Sequence, residues 1–140
     1  MHSTFTVNSY VDKVYVLSVK SFKDRIQHVK KEMDKHHIQF EFVFDYDIPE
    51  LTPALLKKYF APSNLTLAQK SLILKHRHAW QDALRNQYQR VLIFEDDVML
   101  VRGYEPVIWR DVLLLATGKS VHTQDFYKEK LENYIVIRML

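Results

Sequence analysis

The chain has 140 residues, 47% of them apolar and 26% charged, which suits one globular domain and excludes a disordered or two-domain chain. Two glycines and four prolines exclude collagen-like and linker-rich architectures, and the absence of cysteine excludes disulfides, thiolate metal sites and cysteine nucleophiles. The formal charge of +3 suits an anionic ligand or a membrane surface, while the scatter of basic among acidic residues argues against nucleic acid.

The first ten residues are polar and carry no apolar segment of the secretory type, so no signal peptide is expected. Val14-Tyr15-Val16-Leu17 is a short apolar run of β-formers and predicts a buried strand. Ser21 to Asp24 has capping-box spacing, and it predicts a helix to about His36 with Ile26, Val29 and Met33 on one face. Residues 39–44 predict a second strand, and residues 45–50 a loop. Thr52-Pro53 places a cap before a proline at the first helical position, and predicts a short helix to about Phe60. Thr66 and Gln69 form a second capping-box pattern that predicts the longest helix, to about Tyr88, with Ile73, His76, Trp80 and Leu84 on one face. Val91-Leu92-Ile93-Phe94 predicts a third strand that runs directly into Glu95-Asp96-Asp97. Beyond it, residues 112–115 fit strand or helix, residues 123–132 fit a helix, and residues 134–139 fit a late strand. Alternation of strands and helices predicts an α/β fold with a Rossmann-like, mostly parallel sheet and flanking helices. The longest apolar runs fall far short of the roughly 20 residues that a membrane span requires.

The acidic cluster is the main functional signal. Ligands of open α/β sheets bind at the carboxyl ends of the strands. Three adjacent carboxylates there repel one another and need a cation or abundant solvent. A hard divalent ion, Mn²⁺ or Mg²⁺, bridging to a diphosphate supplies that compensation. On an extended segment Glu95 and Asp97 point the same way and Asp96 to the opposite side. A solvated acidic turn is the bland alternative. A phosphoacceptor receiver domain shares the strand-plus-acidic-pair pattern, but only 43 residues follow Asp97, too few for the rest of such a domain.

Taken together, the segments resemble glycosyltransferase family 25, the lipopolysaccharide-biosynthesis type, from about Lys13 to Leu100. The resemblance is carried by the strand at residues 14–17 followed by Arg25, by Phe40 to Asp47, by Lys75-His76 with Trp80, and by Phe94-Glu95-Asp96-Asp97-Val98. It implies a GT-A-type fold, a nucleotide-sugar donor such as a UDP-sugar, and hexose transfer to a saccharide or lipid-linked saccharide acceptor in surface-glycan synthesis. It implies donor-binding roles for Leu17, Ser18, Arg25, Asp45, Asp47, His76 and Asp96, and a metal at Glu95 and Asp97. It assigns no catalytic base. Two departures stand out: Lys75 occupies the place of the family's serine, and Asp47-Ile48-Pro49 that of an Asp-Gly. The chain is also shorter than the family domain usually is, so the acceptor half is expected to be missing. The expected location is cytoplasmic, with peripheral contact at the inner face of a membrane. A nucleotide-sugar-binding remnant without turnover and a structural α/β interaction domain are the other readings open at this point.

Overall fold

The computed structural model describes residues 7–98 and the strand Tyr134–Arg138. The elements are β1 (Lys13–Leu17), α1 (Lys23–Lys35), β2 (Glu41–Val43), α2 (Pro53–Tyr59), α3 (Leu67–Arg85), β3 (Arg90–Glu95) and β4 (Tyr134–Arg138), with 3-10 turns at Val7–Ser9 and Ile48–Glu50. One sheet holds all four strands in the order β2-β1-β3-β4. The first three strands are parallel, and β4 runs antiparallel beside β3. This is the expected Rossmann-like α/β arrangement, with its late strand at the predicted place. The segments at 112–115 and 123–132 lie outside the described residues.

Burial on both faces explains why β1 and β3 are continuous apolar runs rather than alternating ones. Val14, Val16, Leu92 and Phe94 pack on one face against Val29 and Met33 of α1. Tyr15, Leu17, Val91 and Ile93 pack on the other against Ala79 and Ala83 of α3. Two alanines at the contact allow α3 to lie close to the sheet. The central position of β1 follows from the register: Leu17 is paired with Val43 on one side and with Glu95 on the other.

Local signals were realised unevenly. Thr66 accepts from Gln69 N at 3.1 Å, and Gln69 Oε1 accepts from Thr66 N at 2.9 Å, completing the capping box of α3. Thr52 caps α2 through Leu55 N. Ser21 does not cap α1. It lies in the turn that leaves β1, and the helix starts at Lys23 behind Phe22, which makes no side-chain cap. Only Glu41–Val43 of the expected second strand pairs, as fits an edge strand with a single neighbour. The helix α3 ends at Arg85 rather than Tyr88, with Asn86 Nδ2 donating to Asp82 O at 2.8 Å.

The apolar stripe of α3 has the opposite sense from a core stripe. Ser71, Leu74, Lys75, Ala79 and Ala83 face inward, whereas Ile73, Trp80 and Leu84 are exposed. Among the described residues no helix is long and apolar enough to cross a membrane.

Candidate functional site

The connection from β1 to β2 runs through α1 on one face of the sheet, and that from β2 to β3 through α3 on the other. The strand order therefore reverses at β1, and a crevice opens between the carboxyl ends of β1 and β3. Such a switch point is where open α/β sheets bind ligands. A cavity of about 350 Å³ lies there, lined by Leu17 and Ser18 at the end of β1, by Phe22 and Arg25 at the start of α1, and by Glu95 and Asp96 at the end of β3. Ile48 and Pro49 from the loop after β2, and Ser71 and Lys75 from α3, close it further.

Asp96 joins the two strand ends. Its carboxylate is 7% exposed as a residue. Oδ2 accepts from the buried Ser18 hydroxyl at 2.7 Å, and Oδ1 from Arg25 Nη1 at 3.1 Å. Both oxygens are thus engaged, which offsets the cost of burying the charge. Arg25 keeps 58% of its side chain exposed, with its guanidinium 5.1 Å from the centre of the Phe22 ring. It stands at the rim with most of its five N–H donors beyond the one Asp96 receives.

Asp47 plays the matching part for the loop after β2. Its Oδ1 accepts from Lys75 Nζ at 2.6 Å, and its Oδ2 from Lys20 N at 3.1 Å. The Lys75 ammonium also donates to Phe44 O at 3.0 Å and Asp45 O at 2.8 Å, so its three protons meet three oxygens. One turn earlier on α3, Ser71 Oγ donates to Tyr46 O at 2.6 Å. Three successive carbonyls, of residues 44, 45 and 46, are therefore held by two side chains of one helix. Tyr46 has φ of 67°, an unfavourable left-handed conformation for a tyrosine, and these bonds hold it there.

The acidic cluster follows the expected alternation as far as Asp96 and then enters a turn. The strand ends at Glu95, and Val98 N donates to Glu95 O at 3.3 Å, closing a turn. Glu95 meets His76 of α3 and Asp96 meets Arg25 of α1, on opposite sides as alternation expects, and Asp97 is exposed in the turn. Glu95 is half-exposed. The His76 imidazole, with Nε2 3.9 Å from Glu95 Oε1, holds the Glu95 carboxyl below the usual carboxylate range, against burial, which pushes it up. Among the described residues His76 Nδ1 is buried and meets no hydrogen-bond partner.

Of the residues expected at the site, Leu17, Ser18, Arg25, Glu95 and Asp96 line one cavity. Asp47 lies behind its wall on Lys75, and His76 lies against Glu95. Asp45 is exposed and 3.6 Å from His78 Nε2, and Asp97 is exposed outside the lining. Lys75, Ser71, Phe22 and Pro49 were not singled out as site residues by the sequence. The usable signal was Ser71, Lys75, Ala79 and Ala83 at every fourth position, which marks a small-residue inward stripe that carries a lysine.

Among the described residues no group of three or more His, Asp or Glu side chains is arranged to hold a metal ion. The donor chemistry still fits a hard divalent ion. Glu95 and Asp97 offer solvent-facing carboxylate oxygens, and Mg²⁺-type ions commonly take one or two carboxylates and complete their shell with substrate phosphates and water.

Fold and cavity define a Rossmann-like α/β domain with a cavity lined by charged residues at its switch point. The chain belongs to glycosyltransferase family 25 (LPS biosynthesis protein), whose sequence profile matches residues 11–136. It is 34% identical over 101 residues to the lipooligosaccharide biosynthesis protein lic2B of Haemophilus influenzae, an alignment that covers 69% of this chain and 38% of that protein. It is 30% identical over 109 residues to the lacto-N-neotetraose biosynthesis glycosyltransferase LgtB of Neisseria meningitidis serogroup B, covering 71% of this chain and 38% of that protein. The chain thus spans somewhat over a third of the length of these curated relatives.

Proposed function

We propose that the cavity between the ends of β1 and β3 binds the diphosphate of a nucleotide-sugar, with a UDP-sugar as donor, and that the protein transfers a hexose to a saccharide or lipid-linked saccharide acceptor. Family membership supports glycosyl transfer. The names of the Haemophilus and Neisseria relatives support an acceptor among surface glycans. The observation that carries the reading is Arg25, fixed by buried Asp96 at the mouth of a cavity in the switch-point crevice.

In this reading the residues of the chain have distinct tasks. Arg25 offers charge-assisted hydrogen bonds to phosphate oxygens, and Asp96 with Ser18 fixes where the guanidinium stands. Phe22, Ile48 and Pro49 supply apolar wall against which a nucleoside can lie. Asp47, locked by Lys75, fixes the loop that carries Ile48 and Pro49. A divalent ion, manganese or magnesium, would be held by Glu95 and Asp97, and when bound it supplies positive charge against the departing diphosphate. His76 fixes the Glu95 carboxylate on the side away from solvent.

The test is an assay of UDP release from a panel of UDP-hexoses with saccharide acceptors, with and without a divalent ion. The reading expects release above the uncatalysed rate for one donor, and loss of it in Arg25→Ala. Equal release with and without the protein across the panel contradicts it.

A further inference from the structure

From Leu51 through Gln81 the chain has no acidic residue, although 17 Asp and Glu occur elsewhere, and it carries Lys57, Lys58, Lys70, Lys75 and Arg77. Lys75 is buried and spent on the loop after β2. The other four lie on the outside of α2 and α3. Along α3, Lys70, Ile73, Arg77, Trp80 and Leu84 recur at every third or fourth position and form one face, opposite the inward stripe. Its apolar members are well exposed: Ile73 44%, Trp80 41% and Leu84 59%.

Contacts between the helices extend this face. Arg77 lies 4.6 Å from the centre of the Tyr59 ring, with Lys58 on the same ring at 5.1 Å, and Lys70 lies 5.6 Å from the centre of the Phe60 ring. The result, among the described residues, is a surface of lysine, arginine, aromatic rings and aliphatic side chains without a carboxylate. It has no part in the cavity, which opens on the other side of α3.

We propose that this α2–α3 face seats the protein on an anionic phospholipid surface. The chemistry of the face selects that occupant. Tryptophan and aliphatic groups between cations match the boundary between acyl chains and headgroups, where the indole stays at headgroup depth and the lysine and arginine stems reach back to phosphates. The absence of acids removes repulsion from a negative surface. A second copy of the chain fits poorly, because a symmetric contact sets the same cations against each other. The proposal is independent of the donor reading, since its test contains no nucleotide.

The test is co-sedimentation with vesicles of phosphatidylglycerol and phosphatidylethanolamine, compared with phosphatidylcholine alone. A Trp109→Phe background leaves Trp80 as the sole tryptophan, read by excitation at the red edge where tyrosine does not absorb. Binding to the anionic vesicles is expected, with a blue shift of Trp80 emission and weakening by salt. Charge reversal at Lys57, Lys58 and Lys70 should weaken binding by at least about tenfold, since each basic residue near such a surface contributes about fivefold. Ile73→Ser with Leu84→Ser should also weaken it and leave the thermal unfolding midpoint unchanged. Absence of binding, or binding indifferent to both sets of substitutions, overturns the proposal. So does a marked fall in unfolding midpoint in the serine variant, which shows that other residues of the chain cover the face. A dimer that the serine variant dissolves overturns it in favour of self-association.

Discussion

Lys75 Nζ lies 2.6 Å from Asp47 Oδ1, and their side chains are only 3% and 10% exposed. This ion pair joins the middle of α3 to the loop that follows β2. The ammonium also donates to two backbone carbonyls, Phe44 O and Asp45 O.

Removing the cation alone should therefore be costly. Lys75→Met keeps the stem volume but leaves the Asp47 carboxylate buried and without its counter-charge, and we expect a loss of about 3–5 kcal/mol. Urea unfolding measures it. The double substitution Lys75→Met with Asp47→Leu should recover a large part of that loss, because it removes the uncompensated charge. A single variant as stable as the wild type contradicts the role given to the pair.

Arg25 should separate binding from folding. Its own side chain is more than half exposed, but its partner Asp96 is buried and keeps only the Ser18 hydroxyl, so Arg25→Ala should lower stability by about 1–3 kcal/mol, a loss read apart from binding. Loss of a charge-assisted contact to phosphate should weaken UDP binding by about tenfold or more. Arg25→Lys should recover only part of it, because an ammonium cannot reproduce the planar fork. Calorimetric titration beside denaturant unfolding reads both quantities.

The Tyr15–Asp82 contact predicts a pH dependence of stability. The Tyr15 hydroxyl donates to Asp82 Oδ2 at 2.6 Å. That bond, reinforced by Arg85 and opposed by burial, holds the Asp82 carboxyl below its ordinary 3.8. Burial, followed by the same bond, pushes the Tyr15 phenol well above its ordinary 10.0. For Asp82 the folded value is depressed, so its contribution is present above about pH 4 and is lost as pH falls through the lower folded value. For Tyr15 the folded value is raised, so its contribution is present below about pH 10 and declines as pH rises beyond it. Tyr15→Phe should cost about 1 kcal/mol at pH 7, and the difference from wild type should narrow below pH 4. A difference that stays constant from pH 7 to pH 3 contradicts the coupling.

Much of this molecule was legible before its structure. The strands at β1 and β3 were, because strands buried on both faces must be apolar throughout. So was the start of α3, because Thr66 and Gln69 satisfy the backbone donors locally. The inward face of α3 was not. Hydropathy ranks Ile73, Trp80 and Leu84 above Ser71, Lys75, Ala79 and Ala83, yet the sheet accepts small side chains there and the loop after β2 demands a cation. The acidic cluster was legible as a location and, in the opposite directions of Glu95 and Asp96, in part as a geometry. Alternation along the strand sends Asp96 to Ser18 and Arg25 and Glu95 to His76, but nothing in three successive acids fixes where a strand stops. Ser21 failed as a cap for the same reason: the turn leaving β1 consumed it.

The most direct measurement is the affinity of the wild type and of Asp97→Ala for UDP, with and without Mn²⁺. Asp97 is exposed, so its substitution should leave the fold intact and report on the ligand alone. We predict binding that Mn²⁺ strengthens in the wild type and that Mn²⁺ no longer strengthens in Asp97→Ala. Absence of UDP binding, or binding indifferent to both the ion and the substitution, would contradict a nucleotide-sugar site at the ends of β1 and β3.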